Sequence, residues 1–105
     1  MVAAAKSIAS IMKSPKRKYN HYRAVLKDYK LYLGSGLSRT NAIKRAKSKK
    51  DVWSVSKNQA KEVARGANKN GLPIHEIDQN RKGKYFHYHP YKRTPKMHSF
   101  YGKAQ

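Results

Sequence analysis

Apolar positions in this chain follow a helical rhythm through the first two thirds and switch to a period of two near residue 72. Tyr22, Val25, Leu26, Tyr29 and Leu33 fall at i, i+3, i+4, i+7 and i+11, the stripe of one helix face. The spacing predicts a helix over 20–33, capped by Asn20 and stopped by Gly34 and Gly36. His21 lies in its first turn and is expected at the surface or as a cap. Ser38 opens a second helix, with Ile43 and Ala46 on one side and Arg39, Lys44, Arg45 and Lys47 on the other. Val52-Trp53-Ser54-Val55 alternates, which suits a short extended piece with Trp53 as core anchor. Ser56 and Gln59 have the spacing of a capping box. They open a third helix whose stripe of Ala60, Val63, Ala64 and Ala67 suits close packing, and Asn70-Gly71 stops it.

From Leu72 the pattern turns to strands. Over 73–77, Ile74 and Glu76 share one face, and His75 and Ile77 the other. Residues 78–83 read as a turn. Residues 84–89, between Gly83 and Pro90, form the clearest strand; 91–96 is a basic connector, and 97–101 a last strand ending at Gly102. Helices first and strands last give an α+β class, with N-terminal helices packed on a small C-terminal antiparallel sheet. A proline-containing basic break over 13–18 separates a linker-like helical tail, residues 1–18, from the domain proper, residues 19–105. The tail resembles the end of a helix from a longer protein.

Charge changes the picture more than composition does. Among 105 residues, 25 Lys and Arg stand against five Asp and Glu, a net charge of +20. Such a charge repels itself and costs stability in the compact state, so a polyanion is the expected partner. Either a nucleic acid or an acidic protein that caps the basic surface fits. No cysteine is present, which removes disulfides, thiolate metal sites and a cysteine nucleophile together. No apolar run approaches the roughly 20 residues needed to cross a bilayer.

Candidate chemistry is concentrated over 84–102, which holds three of the five histidines. Strand alternation puts Tyr85, His87 and His89 on one face and Phe86 and Tyr88 on the other. The phenylalanine side is the expected core face, leaving the imidazoles toward solvent or a cleft. The last strand brings either His98 with Phe100, or Ser99 with Tyr101, to the same place. Cleaving RNA needs a base for the 2′-hydroxyl proton and an acid for the leaving 5′-oxygen. Two histidines can fill those roles, each worth about 10²–10⁴ in rate. Arg93, Lys92 and Lys84 supply cations for the phosphorane, so no metal or other cofactor is expected. A metal reading uses the same H-x-H pair with His75, His98 or Asp78 as a third ligand. A basic module that binds nucleic acid without cutting it needs the lysines and the aromatic rings but not the imidazoles. The cationic face of the second helix, Arg39, Lys44, Arg45 and Lys47, joins Lys84, Tyr85 and Lys92 as the expected nucleic-acid surface.

The ending Gly-Lys-Tyr-Phe-His-Tyr-His-Pro, a short Arg-containing loop, then His-Ser-Phe-Tyr-Gly, resembles C-terminal toxin domains of bacterial polymorphic toxins of the LXG, Rhs and contact-dependent inhibition types. The resemblance covers roughly 52–102 and is firmest over 84–102. It implies a secreted antibacterial nuclease, carried by a larger effector and acting in the target-cell cytoplasm. It further implies an acidic immunity protein as partner. Many such domains are similar to the barnase–EndoU–colicin–RelE class of metal-independent RNases, and others of this size are metal-dependent DNases. By motif position the resemblance implicates His87, His89, His98 and Tyr101, with Ser99 and Arg93 behind them. His75 completes the candidate catalytic set.

Overall fold

A computed structural model describes residues 2–14, 16–77 and 83–105. Asp78 and most of the expected 78–83 turn lie outside the described residues. Among the described residues the chain forms strand β1 (Val2–Ala3), helix α1 (Ala4–Lys13), strands β2 (His21–Lys27) and β3 (Lys30–Leu37), and helix α2 (Arg39–Lys47). Strand β4 (Val52–Ser54), helix α3 (Lys57–Ala67) and strands β5 (Ile74–Glu76), β6 (His87–His89) and β7 (Ser99–Tyr101) follow. The class is α+β. The sheet is not small and not purely antiparallel: its seven strands run β1-β3-β2-β4-β7-β6-β5, and β4 pairs with β7 in parallel. None of the described helices is long and apolar enough to cross a membrane.

The largest departure from the sequence pattern is the hairpin β2–β3, where a helix over 20–33 is predicted. The helical stripe is coincidental: in β3, Leu31 and Leu33 keep to a period of two and are buried on one face, and past a register shift in the pairing with β2, Leu37 is buried on the other. Asp28 and Tyr29 have φ of 51° and 64° in a two-residue turn between paired Lys27 and Lys30. Positive φ at both central residues matches the twist of a hairpin. Gly34 and Gly36 do not end a helix; they lie inside β3. A Cβ on Gly36 would stand 2.2 Å from the Tyr19 ring, so glycine there admits a side chain against the strand. His21, expected at the surface, is buried with its Nδ1 2.7 Å from the Ser54 hydroxyl.

The other two predicted helices form. Ser38 caps α2 and Ser56 caps α3, each accepting from a backbone N–H three residues on. The small-residue stripe of α3 permits close packing, and a Cβ on Gly66 would stand 2.5 Å from Ile43 Cδ1. Helices α2 and α3 cover one sheet face through Leu37, Ala42, Ala46, Val52, Val63 and Met97. On the other face Ala4 and Ile8 of α1 pack with Ala24, Leu33, Trp53 and Phe100. Residues 2–13, expected within a linker-like tail, therefore contribute to the core of the domain.

Candidate functional site

Strand parity and pairing build the site. His87 lies opposite Phe100, Tyr88 opposite Ser99, and β5 places Glu76 opposite His87 and Ile74 opposite His89. His98 directly precedes β7, and its ring stacks on Phe100 with centroids 5.3 Å apart. The face carrying His87 and His89 therefore receives His98 and Phe100, while Ser99 and Tyr101 turn to the α3 face. The three imidazoles converge, with centroids 4.9 Å apart for His87–His89 and 5.0 Å for His87–His98 and His89–His98. Of the two settings expected for His87 and His89, solvent or a cleft, open solvent does not apply. Tyr85, His87 and His89 are buried, Tyr85 in one core cluster with Ala4 and Ile8 of α1 and Leu31 and Leu33 of the hairpin, and of the three imidazoles only His98 is half-exposed.

Each ring is turned by a hydrogen bond at Nδ1. That of His87 lies 3.3 Å from the Tyr85 carbonyl and that of His89 3.0 Å from the Met97 carbonyl. That of His98 lies 3.3 Å from Asp51 Oδ1, and the same carboxylate oxygen accepts from the His98 backbone N–H at 2.7 Å. Glu76 closes the other side. Its Oε1 is 2.9 Å from His89 Nε2 and 3.4 Å from His87 Nε2. Both ring nitrogens of His89 thus lie against oxygen acceptors.

Arg93 grips Glu76 in a fork, with one N–H donating to Oε2 at 2.7 Å and one to Oε1 at 3.1 Å. It is aimed there by the turn Tyr91–Arg93, where Lys92 and Arg93 take φ of 53° and 58°. The Asn68 amide donates to the Tyr91 and Thr94 carbonyls at 3.2 and 2.8 Å. Gly71 lets the Tyr91 ring lie where a Cβ would be 2.3 Å away. The guanidinium, helped by His89 and His87, lowers the Glu76 carboxyl to about 2, although partial burial opposes it. Burial lowers His87 below the ordinary imidazole value, and the neighbouring His98 and His89 act in the same direction.

Beside the cluster lies a cavity of about 180 Å³, lined by Leu31, Lys84, Tyr85, His87, His98 and Phe100 among others. Tyr29 lines it too, and Lys84 Nζ lies 5.3 Å from the exposed Tyr29 ring. The remaining expected site residues are elsewhere. His75 stands on the α3 face, in ring contact with Phe86 and Tyr101 at 5.3 and 5.8 Å, with Nε2 2.7 Å from the Tyr101 hydroxyl. Ser99 is buried and donates to the Ala60 carbonyl at 2.8 Å. Of the cationic set on α2, Arg45 is bound to the Asp51 and Ala24 carbonyls and Arg39 pairs with Glu62 at 3.5 Å. Lys44 and Lys47 are exposed, as is Lys92 over the Tyr91 ring. Between α2 and α3 a wider groove of about 770 Å³ carries Arg39, Lys61, Arg65 and Lys69.

Two residues that the sequence pattern left unassigned are central to this arrangement, Glu76 and Asp51. Glu76 carried a signal, because it shares a strand face with Ile74 and so turns toward the sheet partner of H-x-H. Asp51 is the one acid in the basic run after α2, a weaker sign. Neither a family model, a curated protein nor a solved structure matches this chain.

Proposed function

We propose that this chain is a nuclease of the antibacterial-toxin kind, an endoribonuclease whose reaction centre is the His87–His89–His98 cluster. The observation that carries the reading is His98. It is a half-exposed imidazole fixed through Nδ1 by Asp51, opening beside His87 onto a cavity edged by Lys84, in a chain of net charge +20. An Nδ1–H bond to a carboxylate leaves Nε2 to exchange a proton with substrate.

The reaction this supports is transfer of the 2′-oxygen to phosphorus. One imidazole takes the 2′-hydroxyl proton and a second gives a proton to the departing 5′-oxygen, leaving a 2′,3′-cyclic phosphate and a 5′-hydroxyl. The cation of Lys84 opposes the charge that builds on the phosphorane. Glu76 and Arg93 act behind the imidazoles by holding His87 and His89 in place. The basic groove between α2 and α3 offers a track for the polyanion backbone. Resemblance of the 84–102 segment to polymorphic toxins supports delivery within a secreted effector, action in the target cytoplasm and an acidic immunity partner.

Digestion of RNA and of DNA by the purified domain, with and without EDTA, tests this. RNA cut to cyclic phosphate ends in EDTA, with DNA intact and with loss of cutting in His98→Ala, is the expected result. No cutting of either polymer, or DNA cutting abolished by EDTA, overturns it.

A further inference from the structure

We propose that His87, His89 and His98 together form a binding site for one divalent transition-metal ion of the zinc type, held through their Nε2 atoms. The inference concerns the same cluster as the proposed nuclease centre but rests on its geometry alone. One nitrogen from each ring lies within 4.8 Å of those of the other two. Metal–imidazole bonds of about 2.0–2.1 Å in a tetrahedral shell place such nitrogens about 3.3 Å apart. The rings therefore need to close by about 1.5 Å at most, and that adjustment falls first to His98, the half-exposed one.

The surroundings match a metal site. Imidazoles that bind metal through one nitrogen donate the other N–H to a carbonyl or carboxylate, which fixes the ring. All three do so here through Nδ1, to the Tyr85 carbonyl, the Met97 carbonyl and the Asp51 carboxylate. Glu76 Oε1 lies against the Nε2 atoms of both His87 and His89, where it serves as a fourth, oxygen ligand or as a charge balancing the ion. Three nitrogens and one oxygen suit Zn²⁺ or Co²⁺, whereas Mg²⁺ and Ca²⁺ take oxygen ligands. Charge supports the placement. In a chain of net +20 a dication is repelled almost everywhere, yet two of the five carboxylates, Asp51 and Glu76, border this cluster.

The ion takes the Nε2 lone pairs that proton transfer uses, so a loaded site is an inactive nuclease. Metal occupancy is then a brake on the proposed reaction.

The test uses the full chain without a histidine tag, freed of metal, titrated with Co²⁺ followed by its visible absorption and then with Zn²⁺ in competition. One equivalent is expected to bind with a tetrahedral spectrum and to be displaced by Zn²⁺. His98→Ala should abolish that spectrum, Asp51→Asn should weaken binding about 10–100-fold, and His75→Ala should leave it unchanged. Imidazole NMR signals of the unsubstituted protein report the same site without any variant: those of His87, His89 and His98 shift with Zn²⁺, and those of His21 and His75 do not. Absence of stoichiometric binding, binding unaltered in folded His98→Ala, or shifts confined to other histidines overturns the proposal. Assaying RNA cleavage of the loaded protein separates the two readings. Binding with cleavage that requires the ion keeps the site and refutes acid–base catalysis, while cleavage with no binding does the reverse.

Discussion

Asp51→Asn is the substitution that most directly ties the fold to the proposed chemistry. Asp51 Oδ1 accepts from the His98 backbone N–H at 2.7 Å, and Oδ2 lies 3.4 Å from His98 Nδ1. A hydrogen bond to a charged group is worth about 1.5–3 kcal/mol, and its neutral counterpart about half of that. Asparagine keeps an oxygen for the backbone N–H, so it forfeits only the charged share. The ring contact adds less than about 1 kcal/mol, because the His98 side chain is 38% exposed and screened. Together these give a loss of about 1–2 kcal/mol, a fall in Tm of about 4–15 °C for a domain this small. The effect on catalysis is larger and has a separate cause. With its oxygen on the backbone, the asparagine turns its NH₂ toward Nδ1, a donor where an acceptor stood. The ring then takes the Nε2–H tautomer and presents a proton where a lone pair is needed. Cleavage should fall by about 10²–10⁴, the share of one acid–base group. Initial rates on RNA across a pH series, urea unfolding followed by Trp53 fluorescence and the ¹⁵N shifts of His98 measure the three effects separately. A variant that shows the stability loss and the tautomer change but cuts RNA at the parental rate would refute the role assigned to His98.

Protonation offers a second handle. Burial lowers His21, with Arg39 acting the same way and Glu62 opposing, and burial lowers His87 likewise. A neutral buried imidazole favours the folded state above the ordinary value of 6.5, so stability in EDTA should decline as pH falls from about 7 to 5. Glu76, lowered from 4.5 to about 2, contributes fully above 4.5, and that share is lost only as pH falls toward 2. Urea midpoints that stay flat between pH 7.5 and 5.5 would contradict the burial of these rings. Gly36→Ala places a methyl group 2.2 Å from the Tyr19 ring and should cost about 1–3 kcal/mol, read as a lower urea midpoint. An unchanged midpoint would mean Tyr19 does not pack there.

What could be read from sequence followed from how local the determining contacts were. Helices α2 and α3 were legible because their start signals, Ser38 and Ser56, act within one turn, and both cap as the spacing requires. The β2–β3 hairpin was not, because Tyr22, Val25, Leu26, Tyr29 and Leu33 satisfy a helical period by coincidence. Its turn also lacks the Asn-Gly signal and holds Asp28 and Tyr29 at positive φ instead. What decides between the two forms is the pairing of β2 with β4, and no window of the sequence contains both strands.

The site divides along the same line. Alternation alone places His87 with His89, and Ile74 with Glu76, correctly on their strands. It cannot say which face of one strand meets which face of the next, and that choice turns a row of imidazoles into a centre. Here β6 against β5 sets the Glu76 carboxylate beneath two rings, and β4 against β7 delivers Asp51 to His98 across 47 residues. The consequence is chemical as well as geometric. Two histidines on the solvent side of a strand, one of the settings the alternation allows, would share no ligand with a third. With His87 and His89 buried, His98 half-exposed and two carboxylates against the three rings, the arrangement that suits proton transfer also suits a metal ion. Proton and metal therefore compete for the same three nitrogens. RNA cleavage by the metal-free protein that is lost on Zn²⁺ loading and restored by EDTA is the behaviour such a centre should show.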